Sequence, residues 1–408
     1  MKRSTSCSDV SRLWRALSAN PGGRRVRCSR LLKRDFATTP GLCLRTSELS
    51  IFQLKDLKAN TDRLWNDIHH TAQWGIGKRY GDSRESTGMS RLTLSDADKT
   101  AREWFMETTK SLSCNTHVDQ MGNIFAIRPG LDNSKPATFA GSHLDTQPTG
   151  GRFDGVLGVC AGIEMLRVLE ENRIETEGPV GVVNWTNEEG ARFPMSMMGS
   201  GVWCGQISLD KAHNTLEVGD PQGGRKSVKE ELDRIGYLGE TESSWKSGIQ
   251  MGGHFELHIE QGPHLISANQ KIGVVEGAQA YQWFTITIEG RDCHSGTTSL
   301  NHRVDALYNA AQLIIAIRKI ARRFGGLATV GIIKAEPGSV NTVPGLVTMS
   351  LDMRHHRDDQ LYRMIDKLHQ KSAELTAFLS RGAHPLKIQI GRSSARSTPR
   401  LERSDRPM

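Results

Sequence analysis

Hydrophobic and polar positions follow helical and strand periods over most of the chain. Between about residues 50 and 112 the spacing predicts two helices, with Leu64 and Ile68 on one face of the first and Ser95 as N-cap of the second. Strand-like and helical stretches then alternate, at 122–128 (strand), 137–143 (strand), 156–171 (helix) and 179–185 (strand). This alternation predicts an α/β domain whose polar inserts follow the carboxyl ends of strands, where open α/β sheets bind ligands.

A second pattern begins near residue 272. Its elements alternate as strand (284–288), helix (303–324), strand (327–335), strand (346–354), helix (358–380) and strand (386–390). The order βαββαβ predicts a ferredoxin-like domain. On the strand 346–354, Met349, Leu351 and Met353 should face the core, which leaves Arg354 on the opposite face. We therefore expect a catalytic domain at 47–271 and a second domain at 272–391, with segments 1–46 and 392–408 outside both.

The positive charge of the chain lies at its two ends. The net charge is +8, and surpluses of 9 positive charges in 1–46 and 5 in 381–408 leave residues 47–380 with a net charge of −6. An acidic body excludes a nucleic-acid partner, and no apolar run reaches the length of a membrane span. The Arg- and Ser-rich segment 1–46 predicts an organellar presequence and a mitochondrial matrix location; the alternative is a disordered basic tail on a cytoplasmic protein.

Four short polar inserts carry most of the candidate metal ligands. They are GSHLDT at 141–146, GGRFDG at 150–155, NEEG at 187–190 and HIEQ at 258–261. Imidazole and carboxylate groups are ligands of Zn, Mn and similar divalent ions, and glycine allows the backbone to come close to an ion. The seven cysteines form no CxxC pair, which argues against a cysteine zinc site and suits a reducing compartment.

These inserts are part of a longer set of motifs that resembles a known family. GSHLDTQPTGGRFDGVLGV, NWTNEEGARF, HIEQGP, CHSGTT and VNTVPG are similar in order and spacing to the N-carbamoyl-L-amino-acid hydrolase, β-ureidopropionase and allantoate amidohydrolase family. That family belongs to the superfamily of two-metal aminoacylases and carboxypeptidases. The resemblance covers about residues 50–390 and implies cleavage of a non-peptide carbon–nitrogen bond in an N-carbamoyl amino acid or related ureido compound.

The resemblance also implies roles for individual residues in a centre of two divalent metal ions, with Zn, Mn, Co and Ni all open. It makes His143 and His258 ligands of the first ion, Asp154 the carboxylate that bridges both ions, and Glu189 a ligand of the second. Asp145 would orient the imidazole of His143. Glu188 would act as the general base that takes a proton from the metal-bridging water.

The second domain resembles the lid and dimerisation domain of the family, inserted into the catalytic domain. The resemblance implies that Arg354, Asn341 and His294 bind the carboxylate of the substrate, for which a guanidinium group is well suited. Gln261 would be a further substrate contact. We expect a homodimer through residues 272–391, with His294 and Asn341 serving the active site of the partner subunit.

The sequence departs from the family at its C-terminal end. Family members continue for several tens of residues, return to the catalytic domain and supply a final histidine to the second metal ion. Residues 392–408 contain almost nothing apolar, so we expect a disordered tail, the C-terminal part of the catalytic domain to be absent and the second metal site to be incomplete. The remaining histidines, His369, His384 and the pair His355–His356, are predicted in the lid domain and unsuited to replace it.

Two other interpretations remain open. The first is a metallo-exopeptidase or aminoacylase of the same superfamily, which would more often have an acidic residue in place of His258. The second is a truncated remnant without catalytic activity that still dimerises through the second domain. A remnant should bind about one divalent ion or none and release no ammonia from carbamoyl amino acids.

Overall fold

The computed structural model describes residues 44–45, 56–219, 224–379 and 385–392. The chain divides into two compact units between Ala268 and Asn269, whereas the sequence prediction had the boundary at residue 271. The predicted presequence, apart from residues 44–45, and the predicted tail, apart from residue 392, lie outside the described residues. Among the described residues, no helix combines the length and the apolar character that crossing a bilayer requires.

Unit 1 contains a central sheet, helices that cover it and a short hairpin. Its elements in chain order are β1 (Leu44–Arg45), α1 (Thr61–Thr71), β2 (Ile76–Arg79), β3 (Thr87–Met89), α2 (Asp96–Lys110), β4 (Asn115–Val118), β5 (Ile124–Arg128), β6 (Ala137–His143), α3 (Val156–Glu171), β7 (Ile174–Glu175), β8 (Val180–Trp185), α4 (Met198–Trp203), α5 (Leu209–His213), α6 (Val228–Ile235), β9 (Met251–Phe255) and α7 (His264–Ser267). The predicted elements are present, and Ser95 caps α2 as expected. The hydrophobic pattern did not reveal the β2–β3 hairpin, β9 or the short helices α4 to α6.

The central sheet of unit 1 has the strand order β4-β5-β8-β6-β9. Strands β8, β6 and β9 run parallel to one another, β5 runs antiparallel to β8, and β4 runs antiparallel to β5. The last residue of β6, His143, is aligned with the last residue of β8, Trp185. The segments that follow β6 and β8 therefore leave the sheet at the same edge, as expected for ligand-binding loops of an α/β domain.

The central strands β5, β6 and β8 have buried residues on both faces of the sheet. On one face, Val159, Ile163 and Leu166 of α3 belong to the same core as Ile124 and Val182. On the other face lies a separate, mainly aromatic hydrophobic cluster that includes Phe125, Phe139, Val183 and Trp185. Burial on both sides explains why these strands read as nearly continuous apolar runs rather than as alternating ones.

A buried ion pair links α2 to the sheet. Nε of Arg102 donates to Oδ2 of Asp98 at 2.8 Å, and both side chains are almost completely excluded from solvent. The same guanidinium donates to the carbonyl of Gly122 and to Oγ1 of Thr186, at 2.6 and 3.1 Å. Because Thr186 directly follows β8, the ion pair also supports the start of the loop that carries Glu188.

Unit 2 has the order of elements that the sequence predicts. They are β10 (Ala280–Glu289), β11 (Cys293–His294), a 3-10 turn (Leu300–His302), α8 (Ala306–Phe324), β12 (Leu327–Thr329), β13 (Ile333–Glu336), β14 (Thr342–Val343), β15 (Leu346–His355), α9 (Asp358–Leu379) and β16 (Lys387–Arg392). The predicted strand 327–335 is in fact two short strands, β12 and β13, and both pair with β15.

The sheet of unit 2 is antiparallel, in the order β12-β15-β10-β16, with β13 also beside β15. Met349, Leu351 and Met353 are buried in its core with residues of α8 and α9, whereas Arg354 is exposed. The predicted assignment of these four side chains to the two faces of the strand is therefore confirmed.

Candidate metal centre

His143 is held rigidly at the carboxyl end of β6. Its side chain is about 1% exposed, and Nδ1 lies 2.8 Å from the backbone carbonyl of Asp145. This contact fixes the ring and directs Nε2 toward Asp154 and Glu188. The carboxylate of Asp145 is further from Nδ1, at 3.8 Å, so it is the main chain of Asp145 that makes the shorter contact with the imidazole.

Asp154 lies at the end of the connection between β6 and α3, immediately before Gly155. Gly155 has φ +67°, and a Cβ at this position would lie 2.4 Å from Cε1 of the His143 ring. Only glycine therefore allows this backbone to approach the imidazole so closely. Asp154 Oδ1 consequently lies 3.9 Å from Nε2 of His143.

His258 reaches the same point from the segment after β9. Its Nε2 lies 3.0 Å from Oδ1 of Asp154, and its Nδ1 lies 2.8 Å from the carbonyl of Ile259. Gln261, three residues further on, donates from Nε2 to Oδ2 of Asp154. The HIEQ motif thus places an imidazole and an amide on the two oxygens of one carboxylate.

Within the described residues, His143, Asp154 and His258 form a group whose ligand atoms all lie within 4.8 Å of one another. The hydrogen bond from His258 to Asp154 raises the pKa of His258 to about 9. Burial acts to raise the pKa of Asp154, but the hydrogen bond from His258 and the proximity of His143 lower it below its ordinary value. The cluster therefore favours positive charge, which is the electrostatic condition for binding a cation.

Glu188 lies next to this group without belonging to it. Its Oε2 is 3.4 Å from Nε2 of His143. Burial, opposed by His143 and reinforced by the negative charges of Asp145 and Glu189, raises the pKa of Glu188 to about 7. A carboxylate with such a pKa can accept and release a proton near neutral pH, which is what general base catalysis needs.

The carboxylate of Asp145 supports the loop that carries Glu188. It accepts hydrogen bonds from the backbone N–H groups of Glu188 and Glu189, at 3.3 and 3.2 Å. Burial raises the pKa of Asp145 to about 6. The loop is also held from its other side, because Nδ2 of Asn187 donates to the carbonyls of Phe193 and Met195.

Glu189 is outside the group of three. Its Oε2 and its carbonyl accept hydrogen bonds from Nε2 of Gln147, whereas Oε1 is buried without a hydrogen-bond partner among the described residues. A buried carboxylate oxygen without a donor is unfavourable. Glu189 therefore offers an unused oxygen of the kind that a second cation would take up.

The three predicted substrate-binding residues of unit 2 lie in two places, His294 and Asn341 at the β11–β14 pair and Arg354 on β15. His294 and Asn341 are neighbours, since β11 pairs with β14 and the N–H of Ser295 donates to the carbonyl of Asn341 at 2.9 Å. Arg354 lies on β15, where Nε and one NH2 hydrogen donate to Oδ2 of Asp352 and the guanidinium lies 5.6 Å from the centroid of the Tyr281 ring. Asp352 and Tyr281 thus support the guanidinium of Arg354.

Among the described residues, His355, His356 and His369 form no further cluster of candidate metal ligands. The rings of His355 and His356 stack on each other, and Nε2 of His355 contacts the carbonyl of Phe324. His369 lies in α9, and His384 is outside the described residues. In the part of the chain that the structure describes, none of these histidines takes part in a group of candidate metal ligands.

Several residues that hold the site together are not among the predicted site residues. Ser142 donates to Glu256, which joins the ends of β6 and β9. Gln147 binds Glu189, and the buried Arg91 binds the carbonyl of Leu144. Ser142 and Gln147 had a signal in the sequence, since Ser142 lies within the GSHLDT insert and Gln147 follows it directly.

The sequence signature of peptidase family M20/M25/M40 matches residues 139–370, which contain most of the candidate site and most of unit 2. The chain belongs to this family. The match begins within β6 and includes His143, Asp154, Glu188, Glu189 and His258.

The similarity to individual relatives indicates the class of hydrolase within this family. The chain is 40% identical over 299 residues to an N-carbamoyl-L-amino-acid amidohydrolase of Rhizobium meliloti, which covers 73% of this chain and 68% of that protein. It is 31% identical over 294 residues to a ureidoglycolate hydrolase of Oryza sativa subsp. japonica, covering 71% and 60%. A crystal structure of an amidase of the hydantoinase/carbamoylase family from Burkholderia vietnamiensis superposes with a TM-score of 0.75 at 38% identity, covering 83% and 78%. The chain is accordingly a hydrolase of carbon–nitrogen bonds other than peptide bonds.

Proposed function

We propose that this protein is a metal-dependent amidohydrolase that cleaves an N-carbamoyl amino acid or a related ureido compound. The observation that carries the proposal is the convergence of His143, Asp154 and His258, with Glu188 beside them. The similarity to N-carbamoyl-L-amino-acid amidohydrolases supports the substrate class.

The donor set fits divalent cations. Two imidazoles and one carboxylate within 4.8 Å suit Zn and Mn alike, and the raised pKa of His258 indicates that the surrounding carboxylates favour a cation there. His143, Asp154 and His258 would hold one ion. Oε1 of Glu189, which has no hydrogen-bond partner in the described part of the chain, supports a second ion held by Asp154 and Glu189. When bound, such ions polarise the scissile carbonyl and increase the acidity of water.

Glu188 supplies the proton transfer. Its pKa of about 7 lets it take a proton from the attacking water and deliver it to the leaving nitrogen of the substrate. For an N-carbamoyl amino acid, addition of one water gives the free amino acid and carbamate, which decomposes to carbon dioxide and ammonia. The backbone N–H of Glu188 is held by the carboxylate of Asp145, and Oε2 of Glu188 lies 3.4 Å from Nε2 of His143, the nitrogen that would hold the first ion.

Recognition of the substrate carboxylate is assigned to Arg354, Asn341 and His294, with Gln261 as a further contact. Asp352 occupies one edge of the Arg354 guanidinium, which leaves the edge formed by NH1 and NH2 for a carboxylate. The neighbouring positions of His294 and Asn341 support a shared role. We further propose a homodimer through unit 2, which size-exclusion chromatography with light scattering tests directly.

The experiment is an ammonia-release assay with N-carbamoyl-β-alanine, an N-carbamoyl-α-amino acid and allantoate, each with Zn, Mn, Co or Ni. At least one substrate should be hydrolysed, and Glu188→Gln should reduce the rate at least about 10²-fold. Glu171→Gln is the control, because Glu171 is an exposed glutamate of unit 1 that binds Arg63.

Each alternative interpretation predicts a different outcome of these measurements. Equal rates for Glu188→Gln and the unaltered chain would remove the assignment of the base. Hydrolysis of a dipeptide or an N-acyl amino acid, without ammonia from the three ureido substrates, would favour the exopeptidase or aminoacylase. Absence of all hydrolysis with about one bound metal ion or none would favour a remnant.

A further inference from the structure

The hairpin strand β3 and the two residues after it contact the connection between β6 and α3 at two places. This connection follows His143 and contains Asp154 near its end, so its path sets the separation of two predicted ligands. The segment 87–91, with the sequence TGMSR, is outside the motifs that carry the family resemblance. Its contacts nevertheless fall on the connection between His143 and Asp154.

Arg91 makes the first contact. Its Nε donates to the carbonyl of Leu144 at 2.7 Å, and its backbone N–H donates to Oγ1 of Thr146 at 2.9 Å. In return, the N–H of Thr146 donates to the carbonyl of Arg91 at 2.8 Å. The three hydrogen bonds enclose Asp145, whose carbonyl fixes the ring of His143.

Thr87 and Met89 make the second contact. The N–H of Met89 donates to the carbonyl of Gly150 at 2.8 Å, and Nε of Arg152 donates to the carbonyl of Thr87 at 3.0 Å. Another nitrogen of the Arg152 guanidinium donates to Oγ1 of Thr87. These bonds fix the backbone two to four residues before Asp154.

The guanidinium of Arg91 is buried and donates its hydrogen bonds to backbone carbonyls. Arg91 is 0% exposed, and the described hydrogen-bond partners of its guanidinium are the carbonyl oxygens of Leu144, Thr71 and Trp74. One guanidinium nitrogen, NH2, is buried without a partner among the described residues. Burial lowers the pKa of Arg91, and the charges of Asp98 and Asp145 oppose that shift. A planar guanidinium fork can hold three carbonyls in fixed positions.

We infer that residues 87–91 hold the β6–α3 connection in the path that brings His143 and Asp154 together, with Arg91 as the positioning residue for metal binding. The inference deepens the proposed function, because it concerns the same centre. Arg91 acts through the carbonyl of Leu144 and, among the described residues, forms no hydrogen bond with His143, Asp154 or His258. Replacing its fork by a single ammonium group loosens residues 144–146, and the ligand atoms then bind a cation less tightly.

The test measures metal affinity and stability separately on the full chain. Binding of Mn²⁺ and of Zn²⁺ is measured by isothermal titration calorimetry for Arg91→Lys, and unfolding of the metal-free protein is followed in parallel. Loss of a residue that orients a ligand should weaken binding about 10- to 100-fold. Arg128→Lys is the matched control, since Arg128 also donates to a backbone carbonyl, that of Ile174, without contacting residues 143–154.

A second pair of variants tests the same contact without altering the buried charge. Thr146→Val removes the oxygen that accepts the N–H of Arg91, whereas Thr146→Ser keeps it. We expect weaker metal binding for the valine variant and near-normal binding for the serine variant. This pair decides the question if Arg91→Lys does not fold.

The results separate this inference from the proposed function. Lower stability with unchanged metal affinity in both Arg91→Lys and Thr146→Val would overturn the inference and leave the function intact. Weaker metal binding in a chain that hydrolyses none of the ureido substrates would support the inference and contradict the function. Equal loss of affinity in Arg128→Lys would also overturn it.

Discussion

The buried pair of Asp98 and Arg102 gives a prediction about the stability of unit 1. Oδ2 of Asp98 accepts hydrogen bonds from Nε of Arg102 and from the N–H of Leu94, at 2.8 and 2.7 Å. The side chains are 0% and 1% exposed. The change Asp98→Asn removes the negative charge but keeps the size of the side chain.

The expected loss follows from the environment of Arg102. Without Asp98, its guanidinium stays buried on the carbonyl of Gly122 and the hydroxyl of Thr186, with no carboxylate in contact among the described residues. Breaking a buried ion pair from one side costs about 3–5 kcal/mol in the free energy of unfolding. At about 1.4 kcal/mol for each factor of ten, the population of opened unit 1 should rise by roughly 10²- to 10⁴-fold.

Cys160 offers an assay that reports on unit 1 alone. This thiol is 0% exposed and lies within α3, so a reagent reaches it only when the core of unit 1 opens. The rate of thiol labelling, measured by mass spectrometry in mild urea, tracks the opened population when closing is fast. We expect Cys160 to be labelled about 10²- to 10⁴-fold faster in Asp98→Asn than in the unaltered chain.

Asp96→Asn is the matched control, two residues away on the same helix. Asp96 pairs with Arg234, but its side chain is 87% exposed, and exposed pairs contribute at most about 1 kcal/mol. Its labelling rate should therefore change much less. An increase below tenfold for Asp98→Asn, or equal increases for both variants, would refute the reasoning from burial.

Three further predictions concern the centre, the fold and the substrate. Gly155→Ala should weaken Mn²⁺ binding at least about tenfold in calorimetry, because its Cβ would meet the ring of His143. Gly151→Ala, whose Cβ would have no atom of the described residues within 4 Å, should leave the affinity unchanged, and equal affinities of the two variants would contradict this. Burial raises the pKa of Asp119 to about 6 from 3.8, so its contribution to stability is present at low pH and is lost as pH rises between these values. That loss amounts to about 3 kcal/mol. Unfolding midpoints of Asp119→Asn should therefore lack this dependence, and equal slopes against pH would count against the argument. Arg354→Lys should raise KM for an N-carbamoyl amino acid by about tenfold or more with little change in kcat, because an ammonium lacks the bidentate fork; an unchanged KM would remove Arg354 from recognition.

Most of the fold could be predicted from the sequence because its elements have clear periods. The pattern places a strand at 137–143 and a helix at 156–171, and the structure has both with the same bounds. The βαββαβ order of unit 2 is equally clear. Short elements such as β9 and the β2–β3 hairpin were not predicted, because they are too short to establish a period and depend on pairing with distant segments.

The candidate ligands were recognisable by type and by their position after strands, but their geometry was not. The sequence suggests four convergent ligands, and the structure brings His143, Asp154 and His258 within 4.8 Å while Glu189 stays outside that group. It also gives the carbonyl of Asp145, rather than its carboxylate, the shorter contact with His143. Differences of this size depend on the exact path of each loop.

The sequence by itself determined the order of strands and helices, the chemical types of the candidate ligands and the acidic character of the body. These properties depend on local periodicity and composition, which every residue carries wherever it lies. Only the tertiary structure decided that Arg91 and Thr87 hold the connection between His143 and Asp154, and that Asp145 supports the backbone of Glu188. Such contacts join residues more than forty positions apart, and their distances are fixed by the packing of the sheet and its helices rather than by any local pattern.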